Sequence, residues 1–267
     1  MAGIPIFFIT TYYTDFILVP TRDHKTVVQA LISRGFEFSE SDSAYVAPTA
    51  ISHTRGSSSI SQPPSTPPPS NIAELQVRTF NQLRKRNVIP FIVPGLQLVQ
   101  CSGKELGPGD DYASRPLSNG HGGTSSNTTC RHWLDRIDPR LYIGLTSAFI
   151  QRPRFLSLTL SKDDAPSLLV DKALLPIFGD SIAGDTEGRM LPIFLDLSNL
   201  PLESTGIVCG VAGKLVDDMR IENAEDKHGS GLSYLSTARA GAVILSAEGS
   251  ARALEVLVPL LRRDDDQ

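Results

Sequence analysis

The sequence has no apolar run near the ~18–20 residues that cross a bilayer, so no membrane span is read from it. Its three cysteines, Cys101, Cys130 and Cys209, stand far apart and make no CxxC pair. That count excludes a disulfide scaffold and a paired-thiolate metal site. Neither GxGxxG nor GxxxxGKS/T occurs, so no phosphate-cradling loop supports nucleotide binding. Aromatic residues are 7% of the chain, with a single tryptophan, and the net charge is −4, which argues against a dedicated nucleic-acid binder. The N-terminus is apolar over Ile4–Ile9 but has no basic region or small-residue cleavage site, so a cytoplasmic protein is expected. The sequon Asn127-Thr128-Thr129 is expected to be inert there.

Catalytic constellations are missing too. His24, His53, His121, His132 and His228 are scattered, and Cys130 with His132 is too short a pair to hold a metal. The pairs Asp163-Asp164 and Asp217-Asp218 read as a hairpin turn and a helix end. No Ser/His/Asp set assembles. The chain is expected not to be an enzyme and to need no cofactor or metal.

What remains is a chain of 267 residues, 40% hydrophobic and 20% charged, with 19 prolines and 21 glycines. Ile4–Ile9 and Phe16–Val19 read as short strands around the polar turn TTYYTD, and Pro20 ends the second. Asp23 precedes a helix whose Val27, Val28 and Leu31 share a face, and Gly35 stops it. Residues 39–70 are Ser/Pro-rich and expected to be disordered, as are residues 102–129. Between them, Asn71 caps a helix near 71–86 with Ile72, Leu75, Phe80 and Leu83 on one face. VIPFIVPGLQLVQC is strand-like but broken by Pro90 and Pro94. Further on, strands are predicted over 141–150, 154–160, 167–170 and 191–197. A helix with buried stripe Ile207, Val208, Val211 and Leu215 begins near Ser204 or Thr205. Gly210 and Gly213 let it approach a neighbour closely. Strands at 232–235 and 242–245 and a helix over 248–261 follow.

The two ends repeat. Without gaps, ITTYYTDFILVPTRDHKTVVQAL falls on LSTARAGAVILSAEGSARALEVL. Ile9 meets Leu235, Thr10 and Thr11 meet Ser236 and Thr237, and Leu31 meets Leu257. A strand and a helix precede the second copy, which completes a β-α-β-β-α unit of the split βαβ type. The first copy has neither, so the chain reads as starting in mid-domain with an open sheet edge.

TTYYTDFILVP, RFLSLTLSKDDAPSLLVD and STGIVCGVAGKLVDDMRI with LSYLST resemble the ACT-domain proteins of the CASTOR type, cytosolic arginine sensors related to aspartate kinase regulatory domains. The resemblance covers residues 2–38 and 141–258. It implies an α+β protein of paired ferredoxin-like ACT domains (βαββαβ), the first one incomplete. Residues 1–38 would be the C-terminal part of one ACT domain, 39–132 a linker with its helix near 71–86, and 133–262 the second ACT domain. It further implies a non-catalytic amino-acid-binding regulatory protein in nutrient signalling of the target-of-rapamycin type, acting through a protein partner. By that resemblance the ligand would sit at Pro5, Ile6, Ser204, Thr205, Gly206, Ile207 and Gly241. Tyr12, Tyr13 and Asp15 would face the partner. The family's acidic positions fall on Ser204 and Gly241, which points away from arginine, toward a smaller or less cationic amino acid or toward no ligand. A homodimer stays open, as do two other readings: a regulatory module of an aspartate-kinase-like biosynthetic enzyme, and a ligand-free interaction scaffold. Neither nucleic acid nor membrane is an expected partner.

Overall fold

A computed structural model of the chain describes residues 4–37, 70–106, 137–161, 164–201, 204–222, 231–237 and 239–262. The low-complexity stretches read above as disordered fall largely outside these residues, as do His53, His121, His132, His228 and Cys130.

The elements run in chain order as follows. The N-terminal part holds β1 (Phe7–Thr10), β2 (Asp15–Leu18) and α1 (His24–Ile32). Then come α2 (Ile72–Lys85), β3 (Pro90–Phe91) and β4 (Leu98–Gly103). Next are α3 (Arg140–Ile150), β5 (Leu156–Thr159), β6 (Ser167–Asp171), the short α4 (Leu175–Phe178) and β7 (Ile182–Ala183). The C-terminal part holds β8 (Met190–Asp196), α5 (Ile207–Glu222), β9 (Ser233–Ser236), β10 (Ala240–Ser246) and α6 (Ala247–Leu261). All strands join one 10-stranded sheet in the order β2-β1-β9-β10-β8-β4-β6-β5, with β3 on β8 and β7 on β4.

Every pairing is antiparallel, so the molecule is a mixed α/β fold on one curled sheet. Two stretches share a connectivity. The run β4-α3-β5-β6-α4-β7 lies side by side as β7-β4-β6-β5, the order of a split βαβ unit. The run β8-α5-β9-β10-α6 lies as β8-β10-β9, and β3 takes the outer place beside β8.

The repeat noticed in the sequence is repeated in hydrogen bonds. In the first copy the Thr11 N–H and hydroxyl both donate to the Thr14 carbonyl, at 3.0 and 2.6 Å, and the Thr14 N–H returns to Thr11 Oγ1 at 3.0 Å. In the second the Thr237 N–H and hydroxyl donate to the Ala240 carbonyl at 2.8 and 3.1 Å, and the Ala240 N–H returns to Thr237 Oγ1 at 2.9 Å. A threonine opening each turn supplies a local bond network that closes the hairpin whatever the strands contain.

The strands alternate between two buried faces. Val99 and Cys101 of β4, Leu168 and Val170 of β6, and Val243 and Leu245 of β10 face the helices. Leu98, Leu169, Ala242 and Ile244 point the other way, into a core where the sheet curls over itself. Successive side chains of a strand take opposite faces, so a strand buried on both sides loses the polar alternation that marks a half-exposed one.

Three sequence expectations need correction. Residues 141–150 form α3 instead of a strand: Leu141, Gly144, Leu145 and Ala148 are buried at helical spacing. Exposed Ile143, Phe149 and Ile150 filled the polar face with apolar letters and hid that period. Residues 90–103, expected within a linker, give β3 and β4, and β4 lies between β6 on one side and β7 and β8 on the other. The helix expected near 71–86 is α2, capped by Asn71 as anticipated, but Phe80 and Leu83 bury it in the core under α5 and α6. Fully burying a leucine such as Leu83 contributes about 1.5–3 kcal/mol, which makes α2 part of the folded body.

Candidate functional site

The glycines of α5 explain where its N-terminus lies. A side chain at Gly210 would meet Thr79 Cγ2 at 2.7 Å, and one at Gly206 would meet Leu75 Cδ1 at 2.7 Å. Gly206 also has φ +84°, a conformation glycine adopts without strain. The Thr79 hydroxyl donates to the Gly206 carbonyl at 3.3 Å, and Gln82 Nε2 donates to Ser204 Oγ at 2.9 Å. Thus α2 clamps the entry to α5 and sets the position of its first-turn N–H groups, which have no intrahelical acceptor.

Opposite this entry stands the N-terminal unit. β1 pairs with β9 at Ile9 and Leu235, and the Phe8 N–H donates to Ser236 Oγ at 3.2 Å. That junction carries Ile4–Phe7 and α1 up to the start of α5. Between them opens a cleft of about 590 Å³. One wall is Ile4, Pro5, Ile6 and Phe7 with Val27 and Leu31 of α1. The other is Leu197, Leu200, Pro201 and the α5 entry from Ser204 to Cys209. Tyr234, Ser236, Thr237 and Ala240 make the floor, and Arg34 is the one charged side chain among the described lining residues.

Of the anticipated ligand-contacting residues, Pro5, Ile6, Ser204, Thr205, Gly206 and Ile207 all line this cleft. Gly241 does not. It is buried beneath the Tyr234 ring, and a side chain there would collide with the Tyr234 hydroxyl. Sequence reasoning missed Tyr234. It is 2% exposed, and its hydroxyl is buried with no hydrogen-bond partner among the described residues. Burial pushes its pKa above that of a free tyrosine, so the phenol keeps its proton. The strand pattern SYLS opposite Gly241 was the available signal, readable once the register of β9 on β10 is known. Cys209 is exposed on the cleft wall, and its thiol pKa is raised by partial burial and then by Asp217.

The anticipated partner-facing residues divide. The Tyr12 N–H donates to Ser167 Oγ at 2.7 Å, and its ring lies so close over Gly184 that a side chain there would fall 2.8 Å from Tyr12 Cε2. Tyr12 therefore anchors the hairpin tip on another part of the same chain. Tyr13 packs edge-on against Tyr12 at 5.0 Å and is 44% exposed, and Asp15 is exposed. No cluster of acidic, histidine or cysteine side chains fit for a metal occurs among the described residues. No helix among them is long and apolar enough to cross a membrane.

Among solved structures, the chain is similar to a Vibrio cholerae protein of unknown function described as a possible transport protein. The identity is 13%, the alignment covers 70% of this chain and 99% of the other, and the TM-score is 0.37, a likeness that carries no argument. No curated protein matches. The ACT domain family matches over residues 1–33, the unit of β1, β2 and α1 that forms one wall of the cleft. An ACT-type regulatory domain, and with it a regulatory ligand-binding role, is what that match supports.

Proposed function

We propose that this chain is a non-catalytic regulatory protein built from paired ferredoxin-like ACT domains, whose cleft binds an amino acid and whose response passes to a protein partner. In this reading residues 7–32 are part of one ACT unit, 98–183 a second, and 190–261 a third. The single observation that carries it is the meeting of Pro5–Ile6 with Ser204–Ile207 across one cleft, beside the unit that matches the ACT family. A free amino acid needs a site for its carboxylate, and the positive end of α5 with its open N–H groups is suited to that. The CASTOR-type resemblance adds cytosolic nutrient signalling of the target-of-rapamycin type. Tyr13 and Asp15, exposed at the hairpin tip, are the natural partner contacts left once Tyr12 is engaged within the chain.

The test uses the full chain and the common amino acids. A ligand at a hundredfold excess over its Kd adds about 2.7 kcal/mol and raises Tm. Occupancy of this cleft also shields the Cys209 thiol, so alkylation mapped to Cys209 slows in step with the Tm shift. A flat response in both measurements across all amino acids removes the reading.

A further inference from the structure

The cleft is chemically one-sided. Arg34 at the end of α1 is its one charged side chain among the described residues, and Arg34 makes no ion pair among them. No described acidic side chain lines it. A guanidinium or ammonium taken out of water needs a carboxylate beside it, so this lining offers a cationic ligand side chain nothing and sets Arg34 against it. Apolar groups dominate elsewhere: Ile6, Val27 and Leu31 face Leu75, Leu200 and Ile207.

The polar end is different. β8 ends where Leu195 and Asp196 pair with Gly241 and Ala240, and from there the chain climbs to α5. Tyr234 reaches that same end of the sheet, its hydroxyl over Gly241. The phenol is buried and has no acceptor within the described chain. Leaving a buried donor unmade is costly, so a hydroxyl kept there calls for an acceptor from outside. The first-turn N–H groups of α5 are donors as well. This end of the cleft collects donors and one helix-dipole positive end, and it wants an anion.

We propose that the ligand is a carboxylate bearing an uncharged apolar side chain, its oxygens held by the α5 entry and the Tyr234 hydroxyl and its body lying between α1 and Leu200. This rests on the amino-acid-binding reading and narrows it to one class of amino acid. Tyr234 is the residue that recognises the carboxylate, and the missing acidic partner is what rejects arginine. Gly241 serves by leaving room for the Tyr234 ring.

The experiment titrates the full chain with L-leucine, L-phenylalanine, L-arginine, L-glutamate, leucinol and 4-methyl-2-oxopentanoate, following heat and Cys209 protection together. The expected result is binding of leucine or phenylalanine at least tenfold tighter than arginine and glutamate, and loss of at least tenfold in leucinol, which lacks the carboxylate. Tyr234→Phe should weaken the favoured ligand by roughly three- to thirtyfold while leaving the Tm of the ligand-free protein unchanged or higher. A purely structural tyrosine would show a lower Tm with unchanged affinity, and that result overturns its role. Preference for arginine or glutamate overturns this inference and leaves the amino-acid reading standing. Binding of the 2-oxo acid with no amino acid does the reverse. Silence from all six compounds removes both.

Discussion

Ile9 stands directly across from Leu235 where β1 meets β9, and the two residues hold the same place in the repeated ends of the chain. Around them the contacts cross over. The Phe8 N–H donates to the hydroxyl of Ser236, the counterpart of Thr10, and the Thr10 hydroxyl donates at 3.3 Å to the carbonyl of Tyr234, the counterpart of Phe8. Equivalent residues meet in an antiparallel junction where a local two-fold passes between two copies. The cleft opens beside this junction, so its two walls come from residues nearly the whole chain apart.

Removing the acceptor at that junction should loosen the N-terminal unit first. Ser236→Ala leaves the Phe8 N–H without its side-chain partner and should cost about 0.5–1.5 kcal/mol of local stability. Amide exchange at Phe8 should accelerate, while amides of β10 keep their protection.

Gly210 and Gly213 look alike in the sequence and should respond oppositely to alanine. A methyl at Gly210 drives into Thr79, so Gly210→Ala should destabilise by about 1–3 kcal/mol. At Gly213 the nearest atom is Gln76 Nε2 at 3.5 Å, ordinary contact, and Gly213→Ala should gain up to ~1 kcal/mol from helix propensity. Chemical denaturation of the two variants measures the contrast.

Asp138 should make stability depend on acid. It is almost fully buried, and the Arg140 side chain, with its backbone N–H, holds the carboxylate pKa below its ordinary value. A depressed folded-state pKa contributes stability above the unfolded value of about 3.9 and loses it as pH falls through the folded value. Asp138→Asn should therefore cost about 1.5–3 kcal/mol at neutral pH. The gap between variant and wild type should shrink in urea titrations carried below that carboxylate range.

β2 heads the strand order, and its outer edge has no partner among the described strands. Ile17 and Leu18 on it are 46% and 51% exposed. An open apolar edge invites pairing with another chain. Ile17→Lys should lower concentration-dependent association in sedimentation velocity without changing the far-UV spectrum.

Much of the local structure was legible. Thr11 and Thr237 announced their turns because the bonds they make are to backbone three residues on. Asn71 announced α2 because a cap is a local hydrogen bond, here from the Glu74 N–H at 2.8 Å. α3 was misread because its outward face is apolar, and β4 was undervalued because a strand buried on both faces looks like any short apolar run. Tyr234 was passed over because its isolation depends on what lies across the sheet, at Gly241.

The sequence by itself determined the hairpins, the caps, the repeat and the need for glycine at Gly206, since each is decided within a few residues by backbone sterics and short hydrogen bonds. Tertiary structure decided that Pro5 and Ile6 face Ser204 to Ile207, that α2 holds the α5 entry, and that one buried phenol ends without a partner beside a cleft. Those relations join residues from distant parts of the chain. They come from which apolar faces can be buried together, a property of the assembled sheet that no local stretch carries.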